Sequence, residues 1–385
     1  MDFPHCAIND LPGLLWSNVA LLSITGIIVV SSFLSQLKDA APYGRHATPE
    51  KEKQWGPPIP QRVAHFLSDA LPGVPFCLAV YLIYAGSLPA GEPFSEVRGV
   101  NLVMLCGWLL HYLYRGFITP FIMPYSSRTV ALGIPLAGIV PNCIFGYLVA
   151  TQLACTRYPS DWAGRPRYII GVVLYALGTA INRWADLKLR AGRLEMLRRR
   201  QAAAATAAGS GGGADAAAGA AAERGSKAVA AVAGAGIGAA GGGGGEGSAA
   251  GGMRESLLEF SRDGGGAAGG VGAPAGASSS PASLSVSIKD GGAGAGGGGG
   301  TVGDVRERYF IPQGGLYDYI ACPNYLGELI EWAGFAVGTW SWPALSWLLF
   351  CTSTFVPRAL THLRWYRDTF PEYPRSRKAL IPFVL

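Results

Sequence analysis

Three apolar segments of the chain carry polar side chains at helical spacing, and one of them runs from Asn324 to Trp340. In this segment Asn324, Glu328 and Glu331 are three or four residues apart, so they share one face of a helix. Ionisable groups inside a membrane helix cost several kcal/mol unless they meet a partner or a water-filled cavity. The stripe therefore predicts that this helix faces an internal partner or a ligand.

The two other segments repeat this spacing, in the sets Asn182, Asp186, Arg190 and Arg193, and Arg358, His362 and Tyr366. Carboxylates, amides and arginines in combination suit a ligand that carries phosphate groups and ribose hydroxyls. A structural interpretation stands beside this one. Asn182 and Asp186 could form an interhelical hydrogen-bond clip, and a lone histidine such as His362 is more often a structural hydrogen-bonding residue.

A second kind of chemistry is indicated by Tyr112, in the sequence HYLYRGF, and by Asp69, in HFLSDALPGVP. A tyrosine with a carboxylate partner can donate a proton or a hydrogen bond to a carbonyl oxygen. The alternative is an interfacial tyrosine and an aspartate at the start of a helix. The residues alone leave both interpretations open.

The elements that must position these residues are membrane helices. The chain has 385 residues, 50% of them hydrophobic, and its mean hydropathy is +0.26. A hydrocarbon core about 30 Å thick needs about 20 apolar residues per helix. This rule predicts seven transmembrane helices in an all-α polytopic protein, near Leu14–Leu34, Phe66–Tyr84, Val100–Met123, Val130–Ala154, Tyr168–Leu187, Tyr325–Trp340 and Pro343–Leu363.

Basic residues between the spans predict the orientation. No Lys or Arg precedes the first span, and five follow it at Lys38, Arg45, Lys51, Lys53 and Arg62. The positive-inside tendency then predicts a lumenal N-terminus and a cytosolic C-terminus, although the loop with Arg157, Arg165 and Arg167 runs against it. In this orientation all three polar stripes lie near the cytosolic face. Their shared depth favours one cytosol-facing cavity over separate structural roles.

The middle of the chain has a different composition. Residues 201–304 are rich in Ala and Gly, and Phe260 is their only aromatic residue, so they predict a disordered cytosolic insertion. The flanking parts, 1–200 and 305–385, then form one membrane domain. The seven cysteines include no CxxC pair and the five histidines are scattered, so no metal site is predicted. Membrane lipid is the expected surrounding, and nucleic acid is not an expected partner.

Two C-terminal sequences, YFIPQGGLYDYIACPNYLGELIEWAGFAVGTWSWPALSW and YPRSRKALIPFVL, resemble those of the steroid 5-alpha-reductase family, membrane enzymes also called 3-oxo-5-alpha-steroid 4-dehydrogenases. The resemblance runs from Tyr309 to Leu385. It extends more loosely to AINRWADLKLR, HYLYRGF, RVAHFLSDALP and YGRHATPE. Members of this family have seven transmembrane helices, use NADPH and lie in the endoplasmic reticulum.

The resemblance implies a role for each candidate residue. It implies NADPH contacts for nine residues: Arg45, Asn182, Asp186, Arg193, Asn324, Glu328, Arg358, His362 and Tyr366. Tyr112 matches the catalytic tyrosine, and Asp69 falls where the family usually has a glutamate that pairs with this tyrosine and with the steroid ketone. Aspartate is one methylene shorter, and DALP is one residue longer than the family spacing. Glu331 is given a supporting role without ligand contact.

The function that this resemblance implies is NADPH-dependent reduction of the 4,5 double bond of apolar 3-oxo-Δ4 steroids. Two alternatives remain. One is a related membrane reductase that acts on polyprenol-type or enoyl-thioester substrates. The other is a sterol-binding protein without enzymatic activity, which would explain an apolar cavity but not Tyr112 together with the phosphate-suited stripes.

Overall fold

Long apolar helices make up most of this computed structural model, which describes residues 5–6, 12–38, 41, 44–47, 49–86, 99–125, 127–210 and 309–385. In these ranges the helices are α1 (Pro12–Lys38), α2 (Pro49–Gln54), α3 (Gln61–His65), α4 (Cys77–Gly86), α5 (Gly99–Tyr112), α6 (Thr119–Ile122), α7 (Gly133–Cys155), α8 (Pro166–Ser210), α9 (Pro323–Thr339) and α10 (Trp342–Thr369). The helix α8 continues ten residues into the predicted insertion. The rest of that segment lies outside the described residues.

Strands are short and pair in twos. The strand β1 (His5–Cys6) is antiparallel to β4 (Thr156–Arg157). The strand β2 (Pro58–Pro60) is antiparallel to β3 (Thr129–Ala131), and this pair connects the chain before α3 to the chain before α7.

Three π-helical turns join the shorter helices into longer rods. Phe66–Ala70 and Pro72–Phe76 link α3 to α4, and Leu113–Ile118 links α5 to α6. Prolines lack the N–H that an α-helical bond requires, so Pro72 and Pro75 account for the irregular path between α3 and α4. π turns occur often at functional sites; one of these contains the predicted catalytic residue Asp69, and another begins directly after Tyr112.

Five described helical rods are long and apolar enough to cross a membrane, by length and composition: Trp16–Lys38, Gln61–Ala85, Gly99–Ile122, Gly133–Cys155 and Pro166–Ala207. Their outward side chains are apolar, as at Ile27 and Leu110, which are 67% and 63% exposed. These are the helices of an integral membrane protein. The prediction of seven spans is supported for five. The helix α9 has only 17 residues, and α10 is interrupted by proline, hydroxyl and basic side chains.

The helices α8 and α9 pack backbone to backbone through glycines. A Cβ atom added to Gly178 would collide with the backbone of Glu331, and one added to Gly327 would collide with the backbone of Asn182. Small residues allow this close approach between membrane helices. It brings the polar stripes of α8 and α9 together.

An aromatic cluster fills the centre of the bundle. The Trp108 ring on α5 lies 5.3 Å from Trp332 on α9 and 5.6 Å from Trp347 on α10, measured between centroids. Its indole Nε1 donates to the Gly73 carbonyl at 3.2 Å. These contacts fix the end of α5 on which Tyr112 lies.

Candidate active site

A cavity of about 780 Å³ collects the predicted site residues. Its lining includes all eleven residues predicted for catalysis or cofactor binding: Arg45, Asp69, Tyr112, Asn182, Asp186, Arg193, Asn324, Glu328, Arg358, His362 and Tyr366. Glu331, predicted to support the site without ligand contact, is not part of the described lining. The eleven side chains therefore border one space, and the roles assigned to them stay predictions.

The polar stripes of α8 and α9 are tied to each other. The Asn182 amide donates to the Asn324 carbonyl at 2.9 Å, and the Asn324 amide donates to Asp186 Oδ1 at 3.5 Å. This is an interhelical link of the kind that the structural interpretation anticipated. Because the three residues also line the cavity, the link holds them at its wall.

Arg45 lies among aromatic rings at the cavity wall. Its guanidinium carbon is 4.5 Å from the centroid of the Tyr366 ring and 4.7 Å from that of Trp365, within cation–π range. Burial alone would lower the pKa of Arg45, but the neighbouring Tyr366, Cys322 and Tyr309 side chains together outweigh burial, and the pKa is raised above its ordinary value. Arg45 Nη1 is buried without a hydrogen-bond partner among the described residues. A fixed cation with an unused donor suits an anionic ligand.

His362 and Cys322 form a second buried group beside this wall. His362 Nδ1 lies 3.7 Å from Cys322 Sγ, and Nε2 is buried with no hydrogen-bond partner in the described parts of the chain. Burial raises the pKa of the Cys322 thiol to about 12, so the thiol stays protonated at neutral pH. The buried Arg358 lies on α10 one turn before His362.

The partners of the buried carboxylates on α9 come from α5 and the π turn after it. Arg115 Nη1 donates to both oxygens of Glu328, at 3.1 and 3.3 Å. His111 Nδ1 lies 2.9 Å from Glu331 Oε1, and His111 Nε2 lies 3.6 Å from Glu328 Oε1. The stripe on α9 therefore meets internal partners, the Arg115 guanidinium and the His111 ring, and Glu328 borders the cavity as well.

Tyr112 is almost completely buried, at 2% exposure, and its ring lies directly on the backbone of Gly73. A Cβ atom at Gly73 would occupy the place of this ring. The Tyr112 hydroxyl donates to Asn142 Oδ1 at 3.3 Å. The expected partner of Tyr112 was Asp69, and the recorded hydrogen bond goes to Asn142.

Asp69 lies in the π turn Phe66–Ala70 and has three polar partners. Arg115 Nε donates to Oδ1 at 3.4 Å, Ser68 Oγ donates to Oδ2 at 3.2 Å, and His65 Nδ1 lies 3.3 Å from Oδ2. A π turn contains one residue more than an α-helical turn. Asp69 borders the cavity from this turn.

Sequence reasoning missed three residues of the site: His111, Arg115 and Asn142. Each is a polar side chain inside an apolar span, and this signal alone marks a functional candidate. Arg115 is also three residues after Tyr112 in HYLYRGF. Their contacts were not predictable, because they depend on which helices and turns are neighbours in space, and helical spacing does not reveal this.

The arrangement combines a hydroxyl donor, carboxylates neutralised by Arg115, and a wall of amides and cations. Such a site can bind a ligand with anionic groups and can polarise a carbonyl oxygen. Within the described ranges, no group of three or more His, Cys, Asp or Glu side chains could hold a metal ion.

Comparisons with known proteins agree with this chemistry. Residues 303–385 match the family described as 3-oxo-5-alpha-steroid 4-dehydrogenase. The whole chain is 25% identical to 3-oxo-5-alpha-steroid 4-dehydrogenase 1 of Rattus norvegicus, over 100% of this chain and 98% of that protein.

Two further relatives match over a shorter stretch. The chain is 53% identical over 76 residues to 3-oxo-5-alpha-steroid 4-dehydrogenase 2 of Homo sapiens, and 50% identical over 80 residues to steroid 5-alpha-reductase DET2 of Arabidopsis thaliana. Each of these matches covers 20% of this chain and 30% of the relative.

These findings define the class of protein: the chain is an enzyme, an oxidoreductase built from membrane helices. The chain is similar to the steroid 5-alpha-reductases over its whole length at 25% identity, and at 49% identity over a stretch of 77 residues, so the resemblance predicted from the sequence is confirmed. An enzymatic role excludes the sterol-binding alternative without catalysis.

Proposed function

We propose that this protein uses NADPH to reduce the 4,5 double bond of 3-oxo-Δ4 steroids. One observation carries the proposal: a single cavity is bordered by Tyr112 and Asp69 and also by the nine residues expected to hold the cofactor. Hydride transfer requires the cofactor and the substrate to lie in contact, and a shared cavity meets this requirement. The names of the relatives supply the substrate class.

The residues at the polar wall fit a dinucleotide phosphate. Arg45, Arg193 and Arg358 supply positive charge. Arg45 Nη1 and His362 Nε2 are buried and have no hydrogen-bond partner among the described residues, so a ligand could bond to them. Asn182 and Asp186 offer amide and carboxylate groups suited to hydroxyls. The volume of about 780 Å³ lies in the usual range of about 300–1,000 Å³ for ligand sites.

The remaining lining suits an apolar substrate. It includes apolar side chains from α1 and α10: Ile27, Ile28, Trp347, Phe350, Cys351 and Phe355. A fused-ring steroid presents mainly carbon to its surroundings, so burying it against these side chains is favourable. Its ketone is the group that needs a polar partner.

When bound, NADPH would supply the hydride that C5 of the enone accepts. Tyr112 donates a hydrogen bond to the ketone oxygen, where negative charge develops, and a proton taken up from solvent at C4 completes the reduction. A donor held in a water-poor cavity stabilises this charge more strongly than water does. Asp69 lines the cavity near Tyr112, and Arg115 neutralises the Asp69 carboxylate.

The proposed setting is the endoplasmic reticulum membrane, with a lumenal N-terminus and a cytosolic C-terminus. The charges of the loops support this orientation. We place α9 and α10 in the membrane as the sixth and seventh spans, because α9 packs closely on α8, one of the five apolar rods. The polar wall would then open to the cytosol, where NADPH is available.

The test is a substrate panel for the purified full-length protein. NADPH oxidation is followed at 340 nm after addition of a 3-oxo-Δ4 steroid, a polyprenal or an enoyl thioester, and products are identified by mass spectrometry. We expect oxidation with the steroid and a product two hydrogens heavier. Turnover of only the polyprenal or the thioester would assign the protein to another reductase of this family.

A further inference from the structure

A chain of hydrogen bonds connects Tyr112 to the turn that carries Asp69. The chain runs through Asn142, which is not one of the two expected catalytic residues. Asn142 on α7 accepts from the Tyr112 hydroxyl at Oδ1, at 3.3 Å, and donates through Nδ2 to the Ser68 carbonyl at 2.6 Å. Ser68 Oγ in turn donates to Asp69 Oδ2 at 3.2 Å. Asn142 is 9% exposed and borders the cavity.

The chemistry of these groups fixes the direction of the chain. The Ser68 carbonyl can only accept a hydrogen bond, so the Asn142 amide must turn its NH₂ group toward it. The amide oxygen then faces Tyr112, and the tyrosine hydroxyl is the donor. The hydroxyl proton therefore points to a defined place on the cavity wall. The hydrogen bond to Asn142 is long, at 3.3 Å, so a ligand that is a better acceptor can replace Asn142.

These hydrogen bonds lie beside the unusual sequence around Asp69. The expected acid is a glutamate with closer spacing to its proline, and here a shorter aspartate lies in a π turn. No hydrogen bond between Asp69 and Tyr112 is recorded among the described contacts. Asn142 spans the two elements instead, because it contacts the Tyr112 hydroxyl and the backbone of Ser68.

We propose that Asn142 is a positioning residue, which holds the Tyr112 hydroxyl at the cavity wall and ties it through Ser68 to the turn of Asp69. The proposal rests on the proposed function, in which Tyr112 donates to the ketone of the substrate. When the ketone enters, it replaces Asn142 as the acceptor of the Tyr112 proton. Asn142 acts through Tyr112 and does not touch the reacting atoms.

The first measurement tests the contact without any substrate. Full-length protein labelled with ¹³C at tyrosine Cζ is prepared in detergent micelles, and Tyr112→Phe identifies the Tyr112 signal. Asn142→Ala is expected to shift that signal. The control is Asn101→Ala, since Asn101 is also a buried asparagine but donates to the Thr156 carbonyl at 2.9 Å, away from Tyr112. It should leave the signal in place.

The second measurement is a double-mutant cycle on steroid reduction. Asn142→Ala should lower kcat about tenfold when Tyr112 is present and less than about twofold in the Tyr112→Phe background, with NADPH affinity unchanged. Asn101→Ala should have the same fractional effect in both backgrounds. If Tyr112→Phe turns over too slowly, the cycle is measured on the affinity of the NADP⁺-loaded protein for the steroid.

The outcomes separate this inference from the proposed function. An unshifted Tyr112 signal in Asn142→Ala, or an equal loss in both backgrounds, would overturn the role of Asn142. If the unmodified protein reduces no 3-oxo-Δ4 steroid, the proposed function fails. The Tyr112 signal then still decides whether Asn142 holds the hydroxyl.

Discussion

At the level of single residues, the site contains carboxylates of low exposure that a partly exposed arginine neutralises. Arg115 contacts two carboxylates, Asp69 at 3.4 Å and Glu328 at 3.1 Å, and so connects the expected catalytic acid to the expected cofactor wall. A buried carboxylate that loses its cationic partner lowers the stability of the fold considerably, whereas an exposed ion pair contributes little to stability. Arg115 is 40% exposed, so its contribution lies between these limits.

Replacing Arg115 therefore affects both ends of the cavity. Arg115→Gln keeps hydrogen-bond donors but removes the charge, and it should lower stability by about 1–3 kcal/mol and weaken NADPH binding. The measurement is a thermal shift combined with NADPH titration. Arg165→Gln is the control, because the Arg165–Asp161 pair lies on the surface, away from the cavity. Equal effects of the two substitutions would contradict this assignment.

Removing the Tyr112 hydroxyl tests the proposed proton donor. Tyr112→Phe should lower kcat by about 10²–10³-fold, the usual loss for one donor to a developing oxyanion, and should leave NADPH affinity within about twofold. Steady-state kinetics and cofactor titration measure the two effects. Tyr147→Phe removes another hydroxyl, which pairs with Tyr84 outside the cavity, and should retain activity. A Tyr112→Phe enzyme with normal kcat would remove Tyr112 from the mechanism.

At the scale of the elements, glycines decide which helices can approach. Glycine at position 73 leaves room for the Tyr112 ring, and glycine at 178 and 327 lets α8 and α9 touch. Helical periodicity was sufficient to predict that Asn182 and Asn324 lie on polar faces. It could not show that α8 and α9 are neighbours, since this depends on backbone contact between glycines far apart in the chain.

Adding a methyl group at Gly73 should displace Tyr112. Gly73→Ala is expected to lower kcat at least tenfold, because even a small misplacement of a reacting group is costly. Gly99→Ala at the start of α5 is the matched control, since its added Cβ meets nothing within 4 Å. Kinetics of the two variants make the comparison. Full activity in Gly73→Ala would show that the Tyr112 ring can lie elsewhere.

Adding a methyl group at Gly327 should separate α8 from α9. Alanine gains about 1 kcal/mol of helix propensity, and overpacking costs about 1–3 kcal/mol, so the net change should be a lower melting temperature. NADPH affinity should fall as well, because Asn182 and Asn324 would move apart. Gly164→Ala, with open space around its Cβ, is the control. A melting temperature above that of the unmodified protein would refute close packing here.

At the scale of the whole molecule, a membrane bundle encloses polar groups that would be costly in lipid. Composition and span length were enough to predict a polytopic helical protein, and five of the spans meet the same criteria in the structure. The two helices that fall short, α9 and α10, carry much of the polar lining. The polar side chains that line the cavity lower the hydropathy of these two helices. The residues that mark the site are therefore the same ones that make α9 and α10 fall short as membrane spans.

The partners of these polar groups were the part that sequence could not supply. Glu328 was expected to contact a cofactor, and its partner in the structure is Arg115. Tyr112 was expected to pair with Asp69, and its recorded hydrogen bond goes to Asn142. Both contacts depend on which helices and turns are neighbours in space, and periodicity along the sequence does not reveal this.

The central claim is that cofactor and steroid meet in one cavity, and isotope transfer tests it directly. The purified protein is incubated with a 3-oxo-Δ4 steroid and NADPH deuterated at the transferable position, and the product is examined by NMR. We predict a 5α-reduced 3-oxo steroid with deuterium at C5. Steroid recovered unchanged, or a reduced product without deuterium at C5, would contradict the account.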